Sequence, residues 1–234
     1  MKNDFITSSK NQFEYYKQLG EKTFNQLTDE QLFWQYHNES NSIATIVKHL
    51  WGNMLSRWTD FQTADGEKEW RKREEEFEND ISSRQELLEK WEAGWACLFN
   101  ALNSITDADL SKIIYIRNQG HTILEAIHRQ LSHYPHHIGQ IVFIGKMLRD
   151  KDWNSLSIPK GASKEYNLQK FSQSIVLLIN NATLENVGRL IKLASAISDL
   201  AGSAVKLSRS GVDSVFDTFS NAVIRFGANP ATEK

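Results

Sequence analysis

The sequence lacks the features that build disulfide-linked or membrane-spanning proteins. Its 234 residues include one cysteine, Cys97, so no intramolecular disulfide can form, and the apolar residues around it predict a buried, unreactive thiol. No stretch approaches the roughly 20 apolar residues of a membrane-spanning helix. The first residues do not form an apolar signal region either. These absences predict a protein of the reducing cytoplasm without a membrane span.

A strong charge of one sign is also missing. The chain has 27 Lys and Arg residues against 29 Asp and Glu residues, a net charge of −2, which gives no reason to expect a nucleic-acid partner. The densest local charge is the run Arg71 to Glu76, inside a polar segment at about residues 64–80. Such runs are typical of solvated loops, and we interpret this one in that way.

Proline is scarce and helical periodicity is common, so the chain is predicted to be all-α. Long helices are predicted at about residues 9–27, 43–61, 83–102 and 123–148. Capping boxes are expected at Thr28 with Gln31 and at Ser83 with Glu86, and Thr122 is expected to cap the last long helix. Residues 113–117 form the one β-like stretch. Pro135 lies inside the last long helix and predicts a kink or an irregular turn.

The composition changes near Asn167, where we predict a domain boundary. The last of the seven tryptophans is Trp153, and the chain from Leu168 onward is rich in Ser, Ala, Val and Ile. Apolar residues at helical spacing predict two amphipathic helices, at about 184–204 and 212–226. We therefore predict an N-terminal domain over residues 1–167 and a C-terminal helical extension over residues 168–234.

Histidines are concentrated in one short segment of the last long helix. His133 and His137 stand four residues apart, so in a helix their imidazoles lie one above the other and can converge on one metal ion. His136 would point away from them. A third ligand must come from elsewhere, and His49 on the second long helix is the best candidate. The alternative is that these are ordinary surface or core histidines.

One familiar class of metalloenzyme is not expected. A zincin helix reads His-Glu-x-x-His, with the glutamate as general base, and here Tyr134 occupies the position after His133. The two spaced histidine elements instead resemble the DinB / YfiT-like superfamily of candidate metal-dependent enzymes, in a branch known only as a domain of unknown function. The resemblance rests on the helix of His49 and on the pattern His133-x-x-His136-His137-x-Gly139-Gln140, and covers about residues 5–167.

The resemblance implies a DinB-like four-helix bundle in which His49, His133 and His137 hold one divalent transition metal. Zn and Ni are the leading candidates, and Fe and Mn are alternatives. Superfamily members with assigned activities are thiol-dependent transferases or isomerases, and others are described as hydrolases. The resemblance therefore implies metal-assisted activation of a thiol or water nucleophile and a small-molecule substrate, including a low-molecular-weight thiol.

No catalytic residue beyond the metal ligands can be assigned from the sequence. Candidates for the surrounding pocket are Asn53, Arg117, Gln130, Tyr134 and Gln140, each of which can instead be structural. The tryptophans at positions 34, 51, 58, 91 and 95 could line an apolar pocket, although aromatic residues at helical spacing more often form a core.

Two alternatives to an enzyme remain open at the sequence level. In the first, the bundle is a scaffold and the protein is a helical interaction or stress-associated protein, with the C-terminal helices mediating assembly. In the second, the metal is bound but structural, so that loss of a ligand would mainly lower stability. The amphipathic C-terminal helices and the bundle faces also favour a homodimer.

Overall fold

The computed structural model describes residues 4–180, which are predominantly helical. The elements are α1 (Phe5–Phe24), α2 (Asp29–Phe33), α3 (Ile43–Trp58), α4 (Arg84–Asn103), β1 (Ile113–Ile116), β2 (Gln119–Thr122), α5 (Ile123–Arg149) and α6 (Ser163–Asn180). Short 3-10 turns lie at Glu74–Phe77, Asp107–Asp109 and Asp150–Asp152. The predicted all-α class is confirmed.

The four long helices α1, α3, α4 and α5 pack as a four-helix bundle. Helix α3 lies against α4 and α5, and α1 lies against the same two helices, so that each helix has two neighbours. The shared core is aromatic as well as aliphatic, with Phe13, Trp91, Trp95 and Tyr134 fully or almost fully buried. Large aromatic side chains contribute strongly to such a core because each removes a large apolar area from water.

Polar side chains define where the helices begin. Thr28 and Thr122 form full capping boxes with Gln31 and Glu125, and Ser42 caps α3 by accepting from the amide of Thr45. Ser83 accepts from the amide of Glu86 as expected, but the Glu86 carboxylate accepts from the amide of Ser82. The predicted capping box at Ser83 is therefore only half formed.

Helix α1 begins earlier than the predicted residue 9. The Asp4 side chain accepts from the amide of Thr7, and the Asp107 carboxylate accepts from the amides of Phe5 and Ile6 at 3.0 Å each. The second contact joins residues that are about a hundred positions apart, so no local pattern could reveal it. The helix start is thus fixed partly by tertiary structure.

The β-like stretch is confirmed as a small antiparallel hairpin. Strand β1 pairs with β2 in the register Ile113 with Thr122 and Ile116 with Gln119. Arg117 and Asn118 form its turn with φ values of 55° and 60°. Asp65 accepts from both turn amides, at 2.8 and 2.7 Å. The hairpin is therefore joined to the segment between α3 and α4.

Helix α5 continues without interruption through Pro135. The irregular turn predicted at Pro135 is not observed. His133 and His137 therefore remain on consecutive turns of one helix. A proline in this position leaves the carbonyl of Leu131 without its usual helical donor. The helix is nevertheless held by its buried face, which includes Ile127, Tyr134, Ile138 and Ile141.

The chain divides into two compact units, with the boundary between Leu156 and Ser157. The first unit contains the bundle and the hairpin, and α6 belongs to the second unit. The helices predicted at about residues 184–204 and 212–226 lie outside the described residues, and the domain boundary near Asn167 stays a prediction. Within residues 4–180, no helix has both the length and the apolar character required to cross a membrane.

Candidate metal centre

The three histidines singled out in the sequence come together on the inner faces of α3 and α5. His49 is 5% exposed, and His133 and His137 are partly buried one turn apart on α5. Each offers a ring nitrogen, and these atoms all lie within 4.8 Å of one another. The cluster could therefore hold a metal ion.

The convergent atoms are the Nε2 nitrogens of the three rings. His133 Nε2 lies 3.3 Å from His49 Nε2 and 3.0 Å from His137 Nε2. Imidazole nitrogens bind Zn²⁺ at about 2.0–2.1 Å, so two such ligands lie about 2.8–3.4 Å apart when the angle at the ion is about 90–110°. Both Nε2–Nε2 separations fall within that interval.

The Nδ1 atom of every ring faces an acceptor oxygen. His49 Nδ1 lies 2.9 Å from Glu76 Oε2, His133 Nδ1 lies 3.3 Å from Gln130 Oε1, and His137 Nδ1 lies 2.8 Å from Gln140 Oε1. These oxygens require a proton on Nδ1, which leaves the Nε2 lone pair free. Such a second layer of contacts is typical of metal-binding histidines, because it fixes both the tautomer and the ring orientation.

This tautomer pattern makes the site fit a cation. Three unprotonated Nε2 atoms cannot hydrogen-bond with each other, and lone pairs that face each other at 3.0 and 3.3 Å repel. A positive ion between them would convert this repulsion into coordination. The donor set, three neutral imidazoles, suits Zn, Ni, Cu and Fe.

The surroundings keep the histidines of α5 neutral. Burial lowers the pKa of His133 to about 3, and the positive charges that His137, His49, Arg129 and Arg57 can carry act in the same direction. Burial likewise lowers the pKa of His137 to about 4, against the opposing hydrogen bond to Gln140. Both rings can therefore offer a lone pair at neutral pH.

Glu76 corrects the interpretation of the charge run Arg71 to Glu76 as a solvated loop. The Glu76 side chain is buried, with the residue 5% exposed, and it contacts His49 on one side and Arg71 on the other. Arg71 donates from Nε at 2.6 Å and from Nη2 at 2.9 Å. Burial alone would raise the pKa of Glu76, but the hydrogen bonds from Arg71 and His49 outweigh it and hold that pKa below its usual value.

Gly52 on α3 leaves the space that the Glu76 carboxylate occupies. A Cβ atom at this position would clash with Glu76 Oε1 and lie 2.8 Å from its Cδ. The 3-10 turn Glu74–Phe77 can therefore bring the Glu76 carboxylate against α3 at the level of His49. Sequence reasoning missed this pairing, because its partners are 27 residues apart.

A cleft of about 330 Å³ opens beside the histidines. It is lined by His49, Asn53, Arg57, Arg71, Arg73, Phe77, Arg117, Arg129, Gln130, His133 and His137. The pocket candidates Asn53, Arg117 and Gln130 thus do line it. Phe77 stacks on His49, with ring centroids 5.1 Å apart, and forms an apolar part of the wall.

Other predicted pocket residues belong to the core. Tyr134 is fully buried, accepts from Trp58 Nε1 at 3.1 Å and donates to Asn53 Oδ1 at 3.2 Å, and burial raises its pKa. None of the five candidate tryptophans lines the cleft. Trp58, Trp91 and Trp95 are core residues, so the aromatic-pocket interpretation is wrong for these side chains.

The remaining histidines and the cysteine stay outside the cluster. His136 is exposed and contacts the Nε2 of Gln140, as expected for a residue that points away from His137. The amide of Gln140 thus lies between His136 and His137, with its oxygen towards His137. Cys97 is half-buried, burial raises its pKa, and its Sγ lies 3.6 Å from Thr59 Oγ1 and 3.8 Å from the carbonyl of Met54.

Comparison with known proteins places the chain in a family. The model of the family described as "Protein of unknown function (DUF1572)" matches residues 1–162, and the chain therefore belongs to that family. Neither the search of curated proteins nor the search of solved structures found a match. The matched residues include all three histidines of the cluster and their contacts Glu76, Gln130 and Gln140.

Proposed function

We propose that this member of the DUF1572 family is a metal-dependent enzyme in which His49, His133 and His137 hold one divalent transition metal ion. The observation that carries the proposal is that three Nε2 atoms converge while all three Nδ1 atoms contact acceptor oxygens. The resemblance to the DinB / YfiT-like superfamily, which implies the same three ligands, supports it. Zn and Ni are the leading ions, with Fe and Mn as alternatives.

The cleft favours a catalytic role over a structural one. Structural zinc sites have four protein ligands and no open position, whereas catalytic sites keep a position for water or substrate. Within residues 4–180 the cluster has three ligands, and the cleft reaches all of them. The bound ion would supply Lewis acidity that lowers the pKa of a water or thiol nucleophile.

The protein residues around the ion have separate roles in this proposal. Glu76, Gln130 and Gln140 orient the rings and keep the proton on Nδ1. Phe77 excludes water from one side of His49. The substrate is a small molecule, because the cleft is near the lower end of the range of about 300–1,000 Å³ for ligand sites. The reaction class that we propose is thiol transfer or hydrolysis. We propose that the reaction takes place in the cytoplasm.

A homodimer is the assembly that we propose for the enzyme. Phe143 and Met147, near the end of α5, are 67% and 47% exposed and could contribute apolar surface to such an interface. Light scattering on the full chain would measure the mass directly. A monomer at micromolar concentration would contradict this part of the proposal without affecting the metal centre.

Metal content tests the central part of the proposal. Protein without an affinity tag of histidines, purified without chelators, would be analysed by elemental mass spectrometry as wild type, as His137→Ala and as His136→Ala. The His136→Ala variant is a matched control, because His136 is exposed and next in sequence but outside the cluster. We expect about one transition metal ion per chain in wild type and control, and almost none in His137→Ala. Wild type that stays empty after incubation with Zn or Ni would overturn the proposal.

A cobalt-substituted sample distinguishes a catalytic metal from a structural one. Addition of a small thiol should change the visible spectrum of the cobalt protein, because the open position can accept the thiolate. An unchanged spectrum in a protein that contains one ion per chain would show a closed, structural site. The same sample can then be used to screen thiol transfer and hydrolysis of small substrates.

A further inference from the structure

Arginines are concentrated in the cleft beside the three histidines. Arg57, Arg71, Arg73, Arg117 and Arg129 all line it, and no carboxylate is among the lining residues. This is a local departure from a chain whose net charge is −2. A cleft of one charge sign attracts ligands of the opposite sign, and its low-dielectric walls strengthen the effect.

The neighbouring carboxylates compensate for only part of this charge. Glu76 pairs with Arg71, and Glu67 is shared between Arg57 and Arg117, at 3.2 and 2.9 Å. Arg57 is near enough to Asp65 to help lower the pKa of the Asp65 carboxyl. The Asp65 oxygens, however, accept from the backbone amides of Glu67, Arg117 and Asn118. Three carboxylates therefore face five guanidinium groups, before the charge of any metal ion is added.

Two of the arginines have no partner within residues 4–180. Arg73 and Arg129 are exposed, and neither side chain makes an ion pair or a hydrogen bond there. Arg129 precedes His133 by one helical turn, so it lies on the same face of α5 as the two histidines. Its guanidinium can therefore reach a ligand that also contacts the cluster.

Arg57 adds a buried cation to the same wall. Its residue is 6% exposed, and it donates from Nη1 to the carbonyl of Gly66 as well as to Glu67. Its Nε is buried without a hydrogen-bond partner in the described part of the chain. A buried charge that is incompletely paired is costly, and proteins rarely keep one without a role.

We propose that this cleft binds the anionic group of a small substrate, a carboxylate or a phosphate, through Arg73 and Arg129, with Arg57 adding to the positive field. Guanidinium groups match both anions because they donate two parallel hydrogen bonds. The inference rests on the proposed function, since the three histidines define where the reacting end of the substrate lies. The substrate thus carries an anion at one end and, at the other, the atom that the metal activates.

Anion titrations of the full-length, metal-loaded protein test the inference. Inorganic phosphate and acetate would be titrated separately by calorimetry at low ionic strength, because salt screens such contacts. The variants are Arg73→Gln, Arg129→Gln and the double variant. Lys72→Gln is the matched control, since it removes the same charge next to Arg73 from a side chain that is 71% exposed and outside the cleft.

We expect saturable binding of at least one anion to wild type and to Lys72→Gln. The double variant removes two guanidinium groups and should bind about a hundredfold more weakly, since each charge-assisted hydrogen bond contributes on the order of one power of ten. The tighter anion identifies the substrate group as phosphate or carboxylate. Equal affinities in wild type and the double variant, or no binding of either anion, would overturn the inference.

Metal content measured on the same samples separates this inference from the proposed function. If the protein holds one ion per chain but binds anions independently of Arg73 and Arg129, the proposed metal-dependent function stands and the inference of an anionic substrate fails. If the protein holds no metal but its anion binding depends on those arginines, the metal-dependent function fails and the anion site stands. A third set of titrations, on chelator-treated protein, shows whether the arginines bind the anion without the ion.

Discussion

At the scale of single residues, the proposed centre depends on contacts that hold imidazole rings in one tautomer. Each of the three rings has its own acceptor, and only the acceptor of His49 is charged. A carboxylate in this position increases the basicity of the ligand as well as orienting it. Glu76 is therefore the contact whose loss should be most visible in metal affinity.

We predict that Glu76→Gln weakens metal binding by about tenfold to a hundredfold, the usual cost of losing such a contact. The amide can still accept from His49, but it removes the charge and leaves Arg71 buried without a counter-ion. Competition with a chromophoric chelator measures the affinity, with circular dichroism as a check of folding. Glu75→Gln is the control, because Glu75 is a neighbouring, exposed glutamate. Equal affinities in the two variants would show that Glu76 does not support the site.

The sequence revealed the three histidines and the cleft residues Asn53, Arg117 and Gln130, but it missed Glu76 and Arg71. His133 and His137 were found because they are four residues apart on one helix. Gln130 and Gln140 were candidates for the surrounding pocket, and each lies three residues from the histidine that it contacts. Glu76 and Arg71 could not be found in this way, because a run of six charged residues looks solvated whichever of its members is buried. Their burial depends on the fit between a 3-10 turn and Gly52.

At the scale of elements, the centre depends on the close approach of the 3-10 turn to α3. Gly52 provides the space for Glu76 on one helix, whereas Gly139 on α5 has no atom of the described residues within 4 Å of its Cβ position. Both glycines lie on helices that carry candidate ligands. Packing requires a glycine at position 52 but not at position 139. This difference allows a paired test.

We predict that Gly52→Ala and Gly139→Ala differ in their effect on metal affinity. The added methyl group of Gly52→Ala must displace the Glu76 carboxylate, so metal affinity should fall about tenfold or more. Gly139→Ala should leave the affinity unchanged and raise the free energy of unfolding by about 0.5–1 kcal/mol, because alanine loses less conformational entropy in a helix. Chelator competition and urea unfolding give the two quantities. A loss of metal affinity in Gly139→Ala, or none in Gly52→Ala, would contradict the packing described here.

The four long helices of the bundle were predictable in number and order, but their ends were less so, and α6 was not predicted. The local caps predicted at Thr28 and Thr122 are both present in the structure. The start of α1 depends on Asp107, and local rules contain no information on a partner so distant in sequence. Pro135 predicted a kink or an irregular turn, yet the buried face of α5 maintains a continuous helix. In both cases tertiary packing decides between conformations that local preference leaves open.

At the scale of the whole molecule, the candidate centre lies entirely within the first compact unit. His49, Glu76, His133 and His137 precede Leu156, and the family match ends at residue 162. Among residues 4–180, the histidine cluster and the lining of the cleft include no residue of α6. The metal centre should therefore be separable from the C-terminal part of the chain.

We predict that a chain ending at Ala162 binds the same number of metal ions, with the same affinity, as the full chain. Bound metal should also raise the melting temperature of both forms, because an ion that binds only the folded state stabilises it. Elemental analysis and thermal unfolding with and without chelator provide the comparison. The truncated His137→Ala variant is the control. A truncated chain that is folded but free of metal would show that the C-terminal part completes the site.

Anomalous X-ray diffraction from crystals of the protein as purified tests the metal centre most directly. Data collected at the absorption edge of the bound metal should show one strong peak per chain, about 2.0–2.1 Å from the Nε2 atoms of His49, His133 and His137. Glu76, Gln130 and Gln140 should remain on the Nδ1 atoms of the three rings. The absence of a peak after incubation with Zn or Ni, or coordination through Nδ1 with these contacts broken, would contradict the proposed centre.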